Sequence, residues 1–102
     1  MLKINNADNG GKAELRVGEL VEVQLSENPT TGYRWQLHLP VGPVLELKDD
    51  SFVGLQGAYG AGGLRSWRFR AVQEGAVLLE IENKRSWEPG PVETFTIEVK
   101  AF

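Results

Sequence analysis

With 102 residues, 41% of them hydrophobic, the chain has enough material for one core and is read as a single domain spanning residues 1–102. It has no cysteine, which excludes a disulfide framework, a thiol nucleophile and thiolate metal sites. A net charge of −3 with the two signs interspersed excludes a basic nucleic-acid surface, and no apolar run reaches the length of a membrane-spanning helix.

Met1-Leu2-Lys3-Ile4-Asn5 opens the chain without an apolar segment of signal-peptide length. Read as it stands, the protein is expected in the cytoplasm, or in the periplasm or outside the cell if a leader preceded Met1. Leu2–Asn5 is a short strand candidate. From Glu19 to Ser26, Val21, Val23 and Leu25 alternate with Glu22, Gln24 and Ser26. From Tyr33 to Leu39, Tyr33, Trp35, Leu37 and Leu39 alternate with Arg34, Gln36 and His38. Val44–Leu47 and Phe52–Leu55 are shorter candidates separated by Asp49-Asp50-Ser51, which reads as an acidic turn. Trp67, Phe69 and Ala71 then oppose Arg68 and Arg70, Val77, Leu79 and Ile81 oppose Glu80 and Glu82, and Phe95, Ile97 and Val99 oppose Thr96, Glu98 and Lys100.

This period of two marks strands with one buried and one wet face. No segment of about ten residues carries a 3.6-residue period with helix caps. The expected fold class is therefore all-β: an immunoglobulin-like antiparallel two-sheet β-sandwich of seven or eight strands. Trp35 and Trp67 fall on inward faces, where each buries roughly 150–250 Å².

The chemistry of an enzyme is missing. His38 is the single histidine and falls on a polar face, as a solvated residue. The Asp49–Asp50 pair lacks the spacing of a calcium loop, and the glycine-rich stretch lacks the Gly-Lys-Ser/Thr ending of a phosphate loop. No catalytic residue, metal site or cofactor is expected.

Three connections instead read as a binding surface. In Asn28-Pro29-Thr30-Thr31-Gly32-Tyr33, Pro29 and Gly32 answer the needs of a tight turn, but the threonine pair is surplus to it. Gly57–Gly63 is either a linker between strands or a segment whose backbone lies close against a partner. In Lys84-Arg85-Ser86-Trp87-Glu88-Pro89-Gly90-Pro91, Trp87 fits no alternating face. It is either an interface residue or a cap on the end of the sandwich with Arg85 stacked on it. Consecutive connections of such a sandwich alternate between its ends, so these three are expected at one end.

In this order and spacing the three segments resemble the chagasin family of cysteine peptidase inhibitors. Asn28-Pro29-Thr30-Thr31-Gly32-Tyr33 followed by Trp35 matches the family's first-loop motif, and Gly60-Ala61-Gly62-Gly63 followed by Trp67 and Phe69 resembles the second loop. Arg85-Ser86-Trp87 resembles the third, with Ser86 where the family usually has proline. The resemblance implies an immunoglobulin-like fold and reversible inhibition of a papain-like cysteine peptidase. Loop 28–33 would enter the catalytic cleft, bringing Thr30 and, nearest, Thr31 to the enzyme's Cys and His. Gly60, Gly62 and Gly63 would lie along one side, with Arg85 and Trp87 on the other. Ser86 would leave the third loop less preorganised. A monomer is expected, because no long apolar stripe remains for self-association.

Two other readings stand beside this one. The chain could be an immunoglobulin-like ligand-binding or adhesion module that recognises carbohydrate or peptide through the same loops, with Trp87 and Tyr59 in its favour. It could also be a structural domain of a larger assembly. Neither requires adjacent threonines.

Overall fold

A computed structural model describes residues 1–28, 32–54, 62–85, 87, 90–91 and 93–102. Within them the strands are β1 (Leu2–Ile4), β2 (Gly11–Leu15), β3 (Leu20–Glu27), β4 (Arg34–Leu37), β5 (Leu45–Gly54), β6 (Gly63–Ala71), β7 (Gly75–Lys84) and β8 (Glu93–Ala101). They form two four-stranded sheets, ordered β1-β3-β6-β5 and β2-β8-β7-β4. The sheets enclose a core built from the alternating positions: Val21, Val23 and Leu25 of β3, Trp67 and Phe69 of β6, Leu79 and Ile81 of β7, and Phe95, Ile97 and Val99 of β8. Trp35 of β4 joins them. This is the expected immunoglobulin-like sandwich.

The pairing is not wholly antiparallel. β1 runs parallel to β3, and β2 runs parallel to β8, each as an edge strand. Residues between β1 and β2 carry the chain from one sheet to the other. Asn5 caps a short 3-10 turn over Asn6–Asp8. Asn6 Oδ1 accepts from Ser26 N–H at 3.0 Å in the first sheet, while Asn9 Oδ1 accepts from Thr96 N–H at 2.9 Å in the second.

Several sequence expectations need correction. Asp49-Asp50-Ser51 is not a turn. It lies inside β5, where Asp49, Asp50 and Ser51 pair with Arg68, Trp67 and Ser66. The register shifts between Leu47 and Asp49, and the extra residue, Lys48, breaks the alternation and splits one strand into two apparent ones. Acidic residues on an edge strand also discourage pairing with another chain. At the end of β4 the ladder stops at Leu37, three residues before Pro40, and Leu39 is exposed rather than inward. Tyr33 precedes β4 and is half-buried. β2 lies outside every expected strand, because Ala13 and Leu15 are too few apolar positions to show a period.

Two carboxylates assigned to wet faces, or to none, are buried. Glu22 lies under Arg68, whose Nε donates to Glu22 Oε2 at 2.6 Å. Glu27 is 4% exposed and closes the inward-facing row begun by Val21, Val23 and Leu25. A buried carboxylate needs partners to offset its lost hydration, and Glu27 finds them in Trp35 and Arg65 at one end of the sandwich.

Candidate functional site

The strand registers fix where the three connections leave the sandwich. In the first sheet Glu27 pairs with Gly63, and Gly63 pairs with Gly54, so the end of β3, the start of β6 and the end of β5 lie in one row. In the second sheet Arg34 pairs with Lys84, and Asn83 pairs with Glu93, which aligns the start of β4, the end of β7 and the start of β8. Trp35 N–H donates to Glu27 Oε1 at 2.7 Å, joining the two rows. All three connections therefore depart from the same end.

Pro29, Thr30, Thr31 and Gly60 lie outside the described residues, as does Ser86. The described site residues form two groups. In the first, Gly32 has φ +81°, a conformation costly for any residue with a Cβ. The Trp87 ring packs directly against it: a Cβ at Gly32 would overlap Trp87 Cη2 and sit 3.2 Å from Cζ2 and 3.3 Å from Cζ3. Arg85 places its guanidinium carbon 4.2 Å from the centroid of Tyr33 and 5.7 Å from that of Trp87. First and third connections are thus interlocked through Gly32–Trp87 and Tyr33–Arg85–Trp87 contacts. Trp87 is nevertheless 67% exposed. Arg85 stacks on the ring, as the capping reading expects, while most of the indole remains exposed.

The second group joins the first and second connections. Gly62, at φ +76°, lies against the stem of the first: a Cβ there would sit 2.9 Å from the Glu27 carbonyl oxygen and 3.4 Å from Asn28 Cα. Gly63 is buried in β6, where a Cβ would meet Phe52 Cζ at 2.7 Å, so glycine is required by packing alone. Phe52 in turn lies under Arg65, whose guanidinium carbon is 5.2 Å from the ring centroid.

Arg65 and Glu27 are the residues that pattern reading missed. Arg65 Nε and Nη2 donate to Glu27 Oε2 at 3.3 and 3.0 Å. A signal was present: Glu27 continues the inward row Val21-Val23-Leu25, and Arg65 continues the inward row of Trp67 and Phe69. Opposite charges ending neighbouring buried rows predict a buried pair at that end. His38 sits away from this end, half-exposed, with Nε2 2.7 Å from Glu82 and Nδ1 3.4 Å from Glu80. Among the described residues no three His, Asp or Glu side chains group as metal ligands.

Comparison with known proteins fits this arrangement. Residues 14–99 match the Chagasin family peptidase inhibitor I42. Chagasin of Trypanosoma cruzi is 33% identical over 110 residues, covering 97% of this chain and 96% of that protein. The crystal structure of the cysteine protease inhibitor EhICP2 from Entamoeba histolytica superposes with a TM-score of 0.83 at 20% identity, over 99% of this chain and 94% of that one. PbICP-C, solved in complex with falcipain-2, superposes with a TM-score of 0.69 at 16% identity over the whole of both chains.

Proposed function

The chain belongs to the chagasin family of peptidase inhibitors, and from that premise we propose that it blocks papain-like cysteine peptidases by filling their catalytic cleft with the three-loop end of its sandwich. It is an inhibitor and not an enzyme. The whole of residues 1–102 acts as one inhibitory domain. The observation that carries this reading is the common departure of the three connections, with exposed Trp87 locked onto Gly32 beside them.

In this reading loop 28–33, from Asn28 through Pro29 to Tyr33, is the wedge. Thr30 and Thr31 approach the enzyme's Cys and His, with Thr31 nearest. Gly60, Gly62 and Gly63 offer backbone along one wall, and Arg85 and Trp87 grip the other, Trp87 against aromatic side chains of the enzyme. A wedge that fills a cleft without holding a peptide bond in attack geometry blocks the enzyme and is not cut. Because the loop stems are fixed before binding, little ordering cost is left for the complex, and a standard interface of about 1,600 Å² suffices for tight inhibition. One copy is enough.

Inhibition constants for two variants test the roles. Thr31→Ala is expected to weaken inhibition of papain roughly tenfold, by about 1.5 kcal/mol of polar contact. Trp87→Ala is expected to cost about 2 kcal/mol, roughly thirtyfold, chiefly through faster dissociation. Its thermal stability should stay close to the parent's, since a mostly exposed ring contributes little to folding. Unchanged constants for both folded variants would remove the loop assignments.

A further inference from the structure

We propose that Glu27 is a positioning residue for inhibition: its buried carboxylate fixes the two stems of the first loop against each other and against the stem of the second. This rests on the inhibitory reading above. The need arises from topology. The first loop joins β3 in one sheet to β4 in the other, so no backbone ladder pairs its stems. β4 is also an edge strand, which leaves backbone donors on its open side without ladder partners. Glu27 Oε1 takes one of them, the Trp35 N–H, at 2.7 Å. The Trp35 indole reinforces the link, its Nε1–H donating to the Ser26 carbonyl at 2.8 Å.

The second oxygen faces the other loop. Glu27 Oε2 accepts from Nε and Nη2 of Arg65, one residue past the Gly63–Leu64 start of β6. Arg65 is held in turn by the Phe52 ring and by Asp50, whose Oδ1 lies 3.6 Å from Nη1. One carboxylate thus connects β3 and β4, which flank the first loop, to β5 and β6, which flank the second. An apolar residue at 27 would extend the core by one layer but could hold neither donor. Its carboxylate is costly to bury, and the geometry points to what that cost secures: a loop base held at a fixed spacing across two sheets.

Four variants test this: Glu27→Ala, Glu27→Gln, Arg65→Met, and Val99→Ala as a core control. Each is assayed for its association rate and inhibition constant with papain, and for exchange of the Trp35 backbone amide in the free protein by NMR. For Glu27→Ala we expect the Trp35 amide to exchange at least about tenfold faster and the inhibition constant to rise at least about tenfold, mainly through slower association. Glu27→Gln, which keeps an acceptor for that amide, should restore most of its protection. Arg65→Met should weaken inhibition at least about fivefold. Val99→Ala should lose thermal stability but keep the parent's inhibition constant, and a purely structural role for Glu27 would make Glu27→Ala do the same. If Glu27→Ala does not fold, Glu27→Gln and Arg65→Met carry the same comparison. Inhibition within about threefold of the parent for both Glu27→Ala and Arg65→Met, or a Trp35 amide as protected as the parent's in Glu27→Ala, would overturn the proposal. Should the parent itself leave papain active, the functional reading fails, while amide exchange still decides whether Glu27 holds the loop base.

Discussion

Gly32→Val should nearly abolish inhibition while leaving the sandwich folded. The substitution meets two obstacles at one position. Backbone at φ +81° is strained for a β-branched residue, by about 1–3 kcal/mol. The Trp87 ring occupies the space the new side chain needs, with Cζ2 and Cζ3 within 3.3 Å of the Cβ position and Cη2 nearer still. The ring must move, and Arg85, stacked between Tyr33 and Trp87, must move with it. One change therefore displaces contacts of two loops. A lost tryptophan anchor is worth about 2 kcal/mol and the misplaced first loop at least as much, so an inhibition constant raised about a thousandfold is expected. The strain lies at the end of the sandwich, so circular dichroism should report a native sheet and a melting temperature lower by several degrees. A folded Gly32→Val protein that inhibits like the parent would show that the Gly32–Trp87 contact is irrelevant to binding.

The largest effect on stability is expected at Trp67. It is 2% exposed in β6, a central strand that pairs with β3 through Val23 and with β5 through Asp50. Trp67→Ala leaves a cavity between the sheets that neighbours held in two ladders cannot close, at a cost of about 3–5 kcal/mol. Against a total stability of about 5–15 kcal/mol, that brings the protein close to unfolding at physiological temperature. Urea denaturation followed by circular dichroism should show a midpoint shifted far down at an unchanged slope. A midpoint equal to the parent's would mean that the core is not built around this ring. The chain's three tryptophans thus divide by task. Trp67 serves the fold, and Trp87, mostly exposed, is the one the proposed inhibitory reading assigns to the interface. Trp35 serves both, since it packs in the core while its two N–H groups reach Glu27 and Ser26 at the base of the first loop.

The long strands were legible because their apolar positions alternate without interruption, as in Val21-Val23-Leu25 and Phe95-Ile97-Val99. Trp87 was legible for the opposite reason: a large aromatic residue that fits no alternating face has to be explained by something else. β5 was not legible, because the bulge at Lys48 inverts the alternation halfway along and presents two aspartates in the middle. The parallel edges escaped because strand pattern carries no information about the direction of a partner. The pairings of the buried carboxylates, Glu27–Arg65 and Glu22–Arg68, escaped because their members lie 38 and 46 positions apart, and only the register of β3 against β6 brings them together. The grouping of the loops was legible in outline from the alternation of connections. The Gly32–Trp87 and Tyr33–Arg85 contacts that lock two of them together depend on side-chain placement that pattern does not encode.

Titration of the intact chain into papain of known active-site concentration, assayed with a fluorogenic dipeptide substrate, tests the central claim most directly. Activity should fall linearly to zero at one inhibitor per active site and return on dilution, and mass spectrometry should find the inhibitor uncut. Full peptidase activity in the presence of excess folded protein, or cleavage within residues 28–33, would contradict the account.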